Sequence, residues 1–413
     1  MVKKFELNED WLAFIVGFIL IGCTISFFHF GLPKFGWSGS AEFNTIFGSS
    51  NLLPLVWLYV IIVAVALTSI ALGNKKALNL ILGVTFIFTI SIVAQILAGY
   101  KPIKDIGLEY VIFALVLGIV IRSVIGVPQW LADSLQSEFF IKTGLVLLGT
   151  SIIFRDIVKA GSLGLVQALI VVLAVWYFAF WIAKKFKIDE ELSLMISSAV
   201  SICGVSAAIA TCGAIQGDGK KLSYVVSLVL LVALPMMIFM PYIANQMHLN
   251  PSIAGAWIGG TIDTTGAVVA TGSQLGEEAL NVSTIVKLSQ NVLLGIAAVA
   301  ISFFWMLRKK EGATTNKPDW NLIWERFPKF VLGFLAASLL FSFVVSSETV
   351  AVSKDFIKGI QTALFALAFV SIGLETDLSL LVKTGNGKPA LVFVIAQVFN
   401  IFFTLAIAYF LFP

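Results

Sequence analysis

Long apolar runs recur from one end of this chain to the other, and no other feature constrains the fold as strongly. Thirteen such segments can be marked, at 11–30, 53–72, 78–98, 109–126, 139–154, 162–183, 192–214, 222–244, 252–273, 284–307, 329–346, 357–374 and 390–412. Several approach the roughly twenty residues that a helix needs to cross a hydrocarbon core. Inside lipid every backbone N–H and C=O must be paired within its own segment, so helix is the structure these runs adopt. The predicted fold class is therefore all-α, a polytopic membrane protein with its 413 residues in one membrane domain. Charged residues make up 12% of the chain, about half the share usual in soluble domains, and mean hydropathy is +0.99.

The net charge of +4 is carried as short basic clusters between apolar runs. That is the placement of positive-inside signals and not of a nucleic-acid surface. Cys23, Cys203 and Cys212 all lie in apolar segments, and their odd number implies no disulfide framework. Neither they nor the two histidines, His29 and His248, show metal-ligand spacing, so no metal and no cofactor are expected. His29, Phe30, Leu32 and Pro33 follow the first run in place of a small-residue cleavage site, which predicts an uncleaved first span. There is no P-loop, GxSxG, HExxH or CxxC motif, so neither an enzyme nor an ATP-driven motor is expected.

Two internal repeats are visible. Gly149, Lys159 and Gly161 in GTSIIFRDIVKAG recur with the same spacing as Gly373, Lys383 and Gly385 in GLETDLSLLVKTG. SICGVSAAIAT at 201–211 aligns with TIDTTGAVVAT at 261–271, and an apolar span follows each copy. Duplicated halves of this kind are a mark of transporters built from inverted repeats, whose site lies where broken helices meet near the midplane. The division read from the sequence is 1–105 as extra N-terminal helices, 106–251 as a first repeat and 252–413 as a second, with 308–329 a polar loop. If all thirteen segments cross, the members of the second pair run in the same direction and cannot be inverted copies. If 192–214 and 252–273 are re-entrant, about eleven spans remain and both pairs become inverted. With a cytoplasmic N-terminus, re-entry also moves Lys220 and Lys221 to the inner side, as the positive-inside rule prefers. Unwound helices that cross fully are the alternative.

The two segments are unusually polar and rich in small residues. The first carries Ser201, Cys203, Gly204 and Ser206, and the second Thr261, Asp263, Thr264, Thr265 and Gly266. Glycines let a membrane helix break, and a break exposes N–H groups for an anion and carbonyls for a cation. Close helix packing through small residues is the competing explanation for either segment taken alone. A carboxylate at mid-segment costs a few kcal/mol to insert and marks an ion or proton path, which makes Asp263 the candidate ligand for a coupling H+ or Na+. A hydrogen-bonded structural aspartate is the blander account. Lys287, close to Gln290 and Asn291 in the next span, has two readings: a counter-charge at the site, or a lysine reaching the interface from a helix end. Lys142 is expected to reach the interface in that way. Glu109 and Glu138 are expected at the interface, and Arg155 with Asp156 as an ion pair in a loop.

SSAVSICGVSAAIAT, IGGTIDTTGAVVATG and VSTIVKLSQNV, together with LVLLGTSI and FVSIGLETDLSLLVKTGNGKPAL, resemble the sulfate-exporter family of bacterial inner-membrane proteins, the YeiH type. The resemblance spans 109–413 and is most specific at the SICG element, residues 201–204. It implies membership of the cation/proton antiporter and anion transporter superfamily, with inverted repeats and discontinuous helices at the site. The family lysine falls on Lys287. The second motif departs from the pattern, because a His-Glu pair is replaced by Asp263 and Thr264, and a later basic residue by Gln290. These changes bear on the coupling ion and the solute, not on the fold.

Together these readings predict a secondary transporter of a small anion, in the range of a sulfur oxyanion or sulfonate, coupled to H+ or Na+. Its residues would sit in the bacterial inner membrane with the N-terminus in the cytoplasm, with lipid and the solute as partners and a homodimer as the assembly. A cation/proton antiporter, a channel or sensory membrane protein, and more distantly a membrane enzyme using Cys203, are the rival classes.

Overall fold

A computed structural model describes residues 8–26, 31–72, 76–105, 109–308, 324, 327–376 and 387–412. The helices that matter here are α1 (Glu9–Ser26), α2 (Ser49–Thr68), α3 (Ala77–Gly99), α4 (Tyr110–Ile125), α5 (Ser137–Leu148), α6 (Phe154–Lys185), α7 (Glu190–Ser198) and α8 (Val205–Ile215). They continue with α9 (Gly219–Gln246), α10 (Pro251–Thr261), α11 (Thr265–Ser273), α12 (Glu277–Arg308), α13 (Phe330–Phe343), α14 (Ser347–Glu375) and α15 (Gly387–Leu411). No strand occurs among the described residues beyond an isolated bridge between Trp37 and Tyr100. Among the described residues, eight helices are long and apolar enough to cross a membrane. The protein is an all-α polytopic membrane protein.

The chain divides into two compact units, Met1–Arg155 with Lys329–Asp377, and Asp156–Pro328 with Leu378–Pro413. Each unit is discontinuous in sequence. In the first unit α14 is the central span, with 78% of its apolar window buried. It approaches α4 where two glycines face one another: a side chain on Gly118 would fall 2.8 Å from the Cα of Gly373. Small residues on both sides let these backbones come together. Lys142 does not reach out to the interface. Its Nζ lies 2.7 Å from Glu9, 3.0 Å from Asp10 and 3.8 Å from Glu138, tying the first turn of α1 to α5. Glu9 and Asp10 also suit the positive end of α1.

In the second unit, α6 is longer than the apolar run 162–183 and takes in Arg155 and Asp156 as part of its first turn, so these two do not stand in a loop. The described residues of 308–329 are too few to test the expected polar loop, and Lys383 and Gly385 lie outside the described residues altogether.

The two polar segments do not cross. The start of α7 and the start of α9 are at the same level, because Lys221 pairs with Asp189 at 2.6 Å and Glu191 at 3.1 Å. Leu192 and Met195 of α7 share a core with Cys212 and Ile215 of α8, as two helices lying side by side must. The second segment folds back as well. Ser252 donates to Glu278 at 2.7 Å, and Gly255 near the entrance and Gly272 near the exit both abut Ala279 of α12. Thr265, just past the break, instead meets Asn291 further along α12, at 3.1 Å. Each segment is a helical hairpin broken at its middle, the form that re-entry predicts.

The first hairpin opens where α9 begins, and the second where α9 ends. With 28 residues, α9 spans about 42 Å, enough to separate the two faces of a bilayer. The hairpins therefore enter from opposite sides, which makes the 201–211 and 261–271 copies inverted.

Candidate solute-binding site

Both hairpins turn in their glycine-rich middles, but by different means. In the first, Ala199–Cys203 widen into a π turn, and Gly204 follows at φ 58, ψ −111, a conformation open to glycine and little else. In the second, α10 stops at Thr261, the chain runs extended at Ile262 and Thr264, and α11 begins at Thr265. The tips touch. A side chain on Gly204 would fall 3.1 Å from Cβ of Asp263 and 2.7 Å from Cγ1 of Val229.

A break leaves the last carbonyls of the incoming helix unpaired, and burial makes that costly. Here every donor comes from three neighbouring helices. The Nζ of Lys287 donates to the Ile202 carbonyl at 2.7 Å and to the Gln290 side-chain oxygen at 2.8 Å. Gln290 in turn donates to Ser201 O at 3.0 Å and Gly260 O at 3.3 Å, so one amide serves both hairpins. Asn400 does the same for Val200 O and Thr261 O, each at 3.2 Å. Gln397 adds a bond to Thr261 O at 2.9 Å, and Gln167 one to Ala256 O at 2.7 Å. The negative ends of α10 and of the α7–π segment thus face a lysine and three amides, and the lysine offsets their partial charge.

The amide ends are treated differently. Thr264 caps α11 by accepting from the Ala267 N–H at 3.3 Å. No side chain caps α8, whose first turn carries the exposed hydroxyl of Ser206. Between the tips, Asp263 is 1% exposed and neither carboxylate oxygen has a hydrogen-bond partner. The Lys287 charge acts on it, as does the Gln397 amide. Thr261 Oγ1 and the Gln397 side-chain oxygen are likewise buried and unpartnered.

The structure thus brings Ser201, Cys203, Gly204, Thr261, Asp263, Lys287 and Gln290 to one place. Asn291 reaches only Thr265, Thr264 is occupied with its own helix, Gly266 is buried just behind it, and Ser206 faces open space. Lys287 is 1% exposed and bonded inward, so it does not reach the interface. Gln167, Gln397 and Asn400 are missing from the sequence reading, although three polar side chains in A-Q-V-F-N-I-F-F-T at 396–404 stand out in an otherwise apolar helix.

The geometry defines a multi-pass helical membrane protein with two opposed broken hairpins. The family described as Conserved hypothetical protein 698 matches residues 82–393, and the chain belongs to that family. It is 37% identical over 373 residues to a UPF0324 membrane protein of Rhodopirellula baltica, covering 88% of this chain and 69% of the relative. A UPF0324 membrane protein of Nitratidesulfovibrio vulgaris is 37% identical over 344 residues, 80% of this chain, and this chain spans 59% of that relative's length. One from Nitrosomonas europaea is 28% identical over 454 residues, 94% of this chain and 92% of the relative. No solved structure matches.

Proposed function

We propose that the protein is a secondary active transporter of a small anion, coupled to H+ or Na+ through Asp263. The observation that carries this reading is the unequal treatment of the two breaks' ends. The chain's own donors close the carbonyl ends, whereas the α8 amide end is left uncapped beside a buried, partnerless carboxylate. Uncapped amides at a helix start favour an anion. An ionised Asp263 opposes that anion, and a proton or Na+ on Asp263 removes the opposition, so solute and cation arrive together. Lys287 acts here as a positioning residue, fixing the tip of the first hairpin and adding positive potential.

The resemblance to sulfate exporters supports a sulfur oxyanion or sulfonate as the solute and a bacterial inner membrane as the location, and the positive-inside count supports a cytoplasmic N-terminus. The test is uptake of sulfite, sulfate and short sulfonates by proteoliposomes under an imposed H+ or Na+ gradient. Asp263→Asn should abolish gradient-driven uptake while the purified protein stays monodisperse. Full retention of coupled uptake by that variant rejects the proposal.

A further inference from the structure

The first unit holds two adjoining cavities. One, of about 280 Å³, is a cleft between α1, α2 and α14, lined by residues including Leu20, Cys23, Trp57, Val60, Ala64 and Phe356. The only hydroxyls on its wall, Thr24 and Thr68, are already bonded to the carbonyls of Leu20 and Val65. Apart from Cys23 and Trp57 the rest of the wall is aliphatic or phenyl, so the cleft favours hydrocarbon. Its three walls are all membrane-spanning helices.

The second cavity, of about 590 Å³, meets the first at Phe356, which lines both. It lies toward the end where α1 finishes and where α2 and α14 start, and its wall carries Lys34, Lys358, Asp355, Gln95 and Thr362. Two lysines against one aspartate favour a negatively charged occupant. This mouth is held in shape. Asn51, buried at the start of α2, accepts from the Lys34 N–H at 2.7 Å and donates to the Lys34 and Ile46 carbonyls at 3.0 and 2.9 Å. Leu32 packs against Gly359, where a side chain would collide with it.

An apolar slot within the span, continuous with a basic, partly polar mouth at its end, is the imprint of an amphiphile. We propose that this is a binding site for one anionic phospholipid, with its phosphate at Lys34 and Lys358 and an acyl chain in the α1–α2–α14 cleft. The site is independent of the transport reading.

Native mass spectrometry of the detergent-purified full chain, mixed with phosphatidylglycerol or phosphatidylcholine of the same acyl chains, tests it. Wild type should retain phosphatidylglycerol in preference. Lys34→Gln and Lys358→Gln, both at exposed positions, should each lower that retention about five-fold and leave phosphatidylcholine unchanged. Ala64→Trp, also at an exposed position, fills the cleft and should lower retention of both lipids. Equal retention of the two lipids by wild type, or phosphatidylglycerol retention unmoved by the lysine variants, overturns the proposal. So does retention of both lipids by Ala64→Trp at the wild-type level.

Discussion

The two hairpin tips are copies in sequence and opposites in construction. The first turns through a widened helix and a glycine in a left-handed conformation, with nothing to cap the helix that leaves it. The second turns through extended residues and caps its outgoing helix with Thr264. The first copy therefore depends on what is absent, a side chain at Gly204. The second depends on what is present, a threonine hydroxyl and the Asp263 carboxylate. A duplicated element has been divided into an amide-donating half and a charge-bearing half.

The comparison can be broken most completely at the level of topology. Lys220→Cys and Glu277→Cys should be labelled by an impermeant maleimide from opposite faces of the membrane. Labelling of both from one face would mean that the segments cross and are not inverted. Next in size is Gly204→Ala, which combines left-handed backbone strain with contact against Val229 and Asp263. A loss of roughly 3 kcal/mol in denaturant unfolding in detergent is expected. Ile262→Ala at the matching turn of the other hairpin should not show the backbone part of that loss.

Gln290→Leu leaves two buried carbonyls, one in each hairpin, without their donor, and should cost about 2 kcal/mol by the same measurement. Combined with Asn400→Leu the cost should depart from the sum, since both amides join the same two tips. The smallest expected effect is Thr264→Ala, about 1 kcal/mol for a lost helix cap, with Thr264→Ser near wild type. An equal loss from both substitutions would remove the cap from the account.

Much of this arrangement is legible in the sequence, for stated reasons. The density of Gly, Ser and Thr in 192–214 and 252–273 marks the breaks because such residues fit poorly in a lipid-facing helix. Asp263 stands out because a charge at mid-segment is costly. The parity of the repeats by itself favours re-entry. What is not legible depends on distant partners. That Lys287 turns inward to Ile202, and that Asn400 reaches Val200 and Thr261, follows from packing between segments far apart in the chain. An amide in an apolar helix reads equally as a packing residue until its partner is known. Lys142 is misplaced for the same reason, because Glu9 and Asp10 come to it from another helix. Arg155 and Asp156 read as loop because their polarity hides a helix that continues beyond its apolar stretch.

The amides of Gln290 and Asn400 each hold a carbonyl from both hairpins. Pulling the tips apart would cost each amide one of its two bonds and leave a carbonyl behind without that donor, in a setting with no water to receive it. No hinge can then operate between the tips. If the proposed transport requires the site to face each side of the membrane in turn, both hairpins, with α12 and α15, would travel as a single piece of cargo.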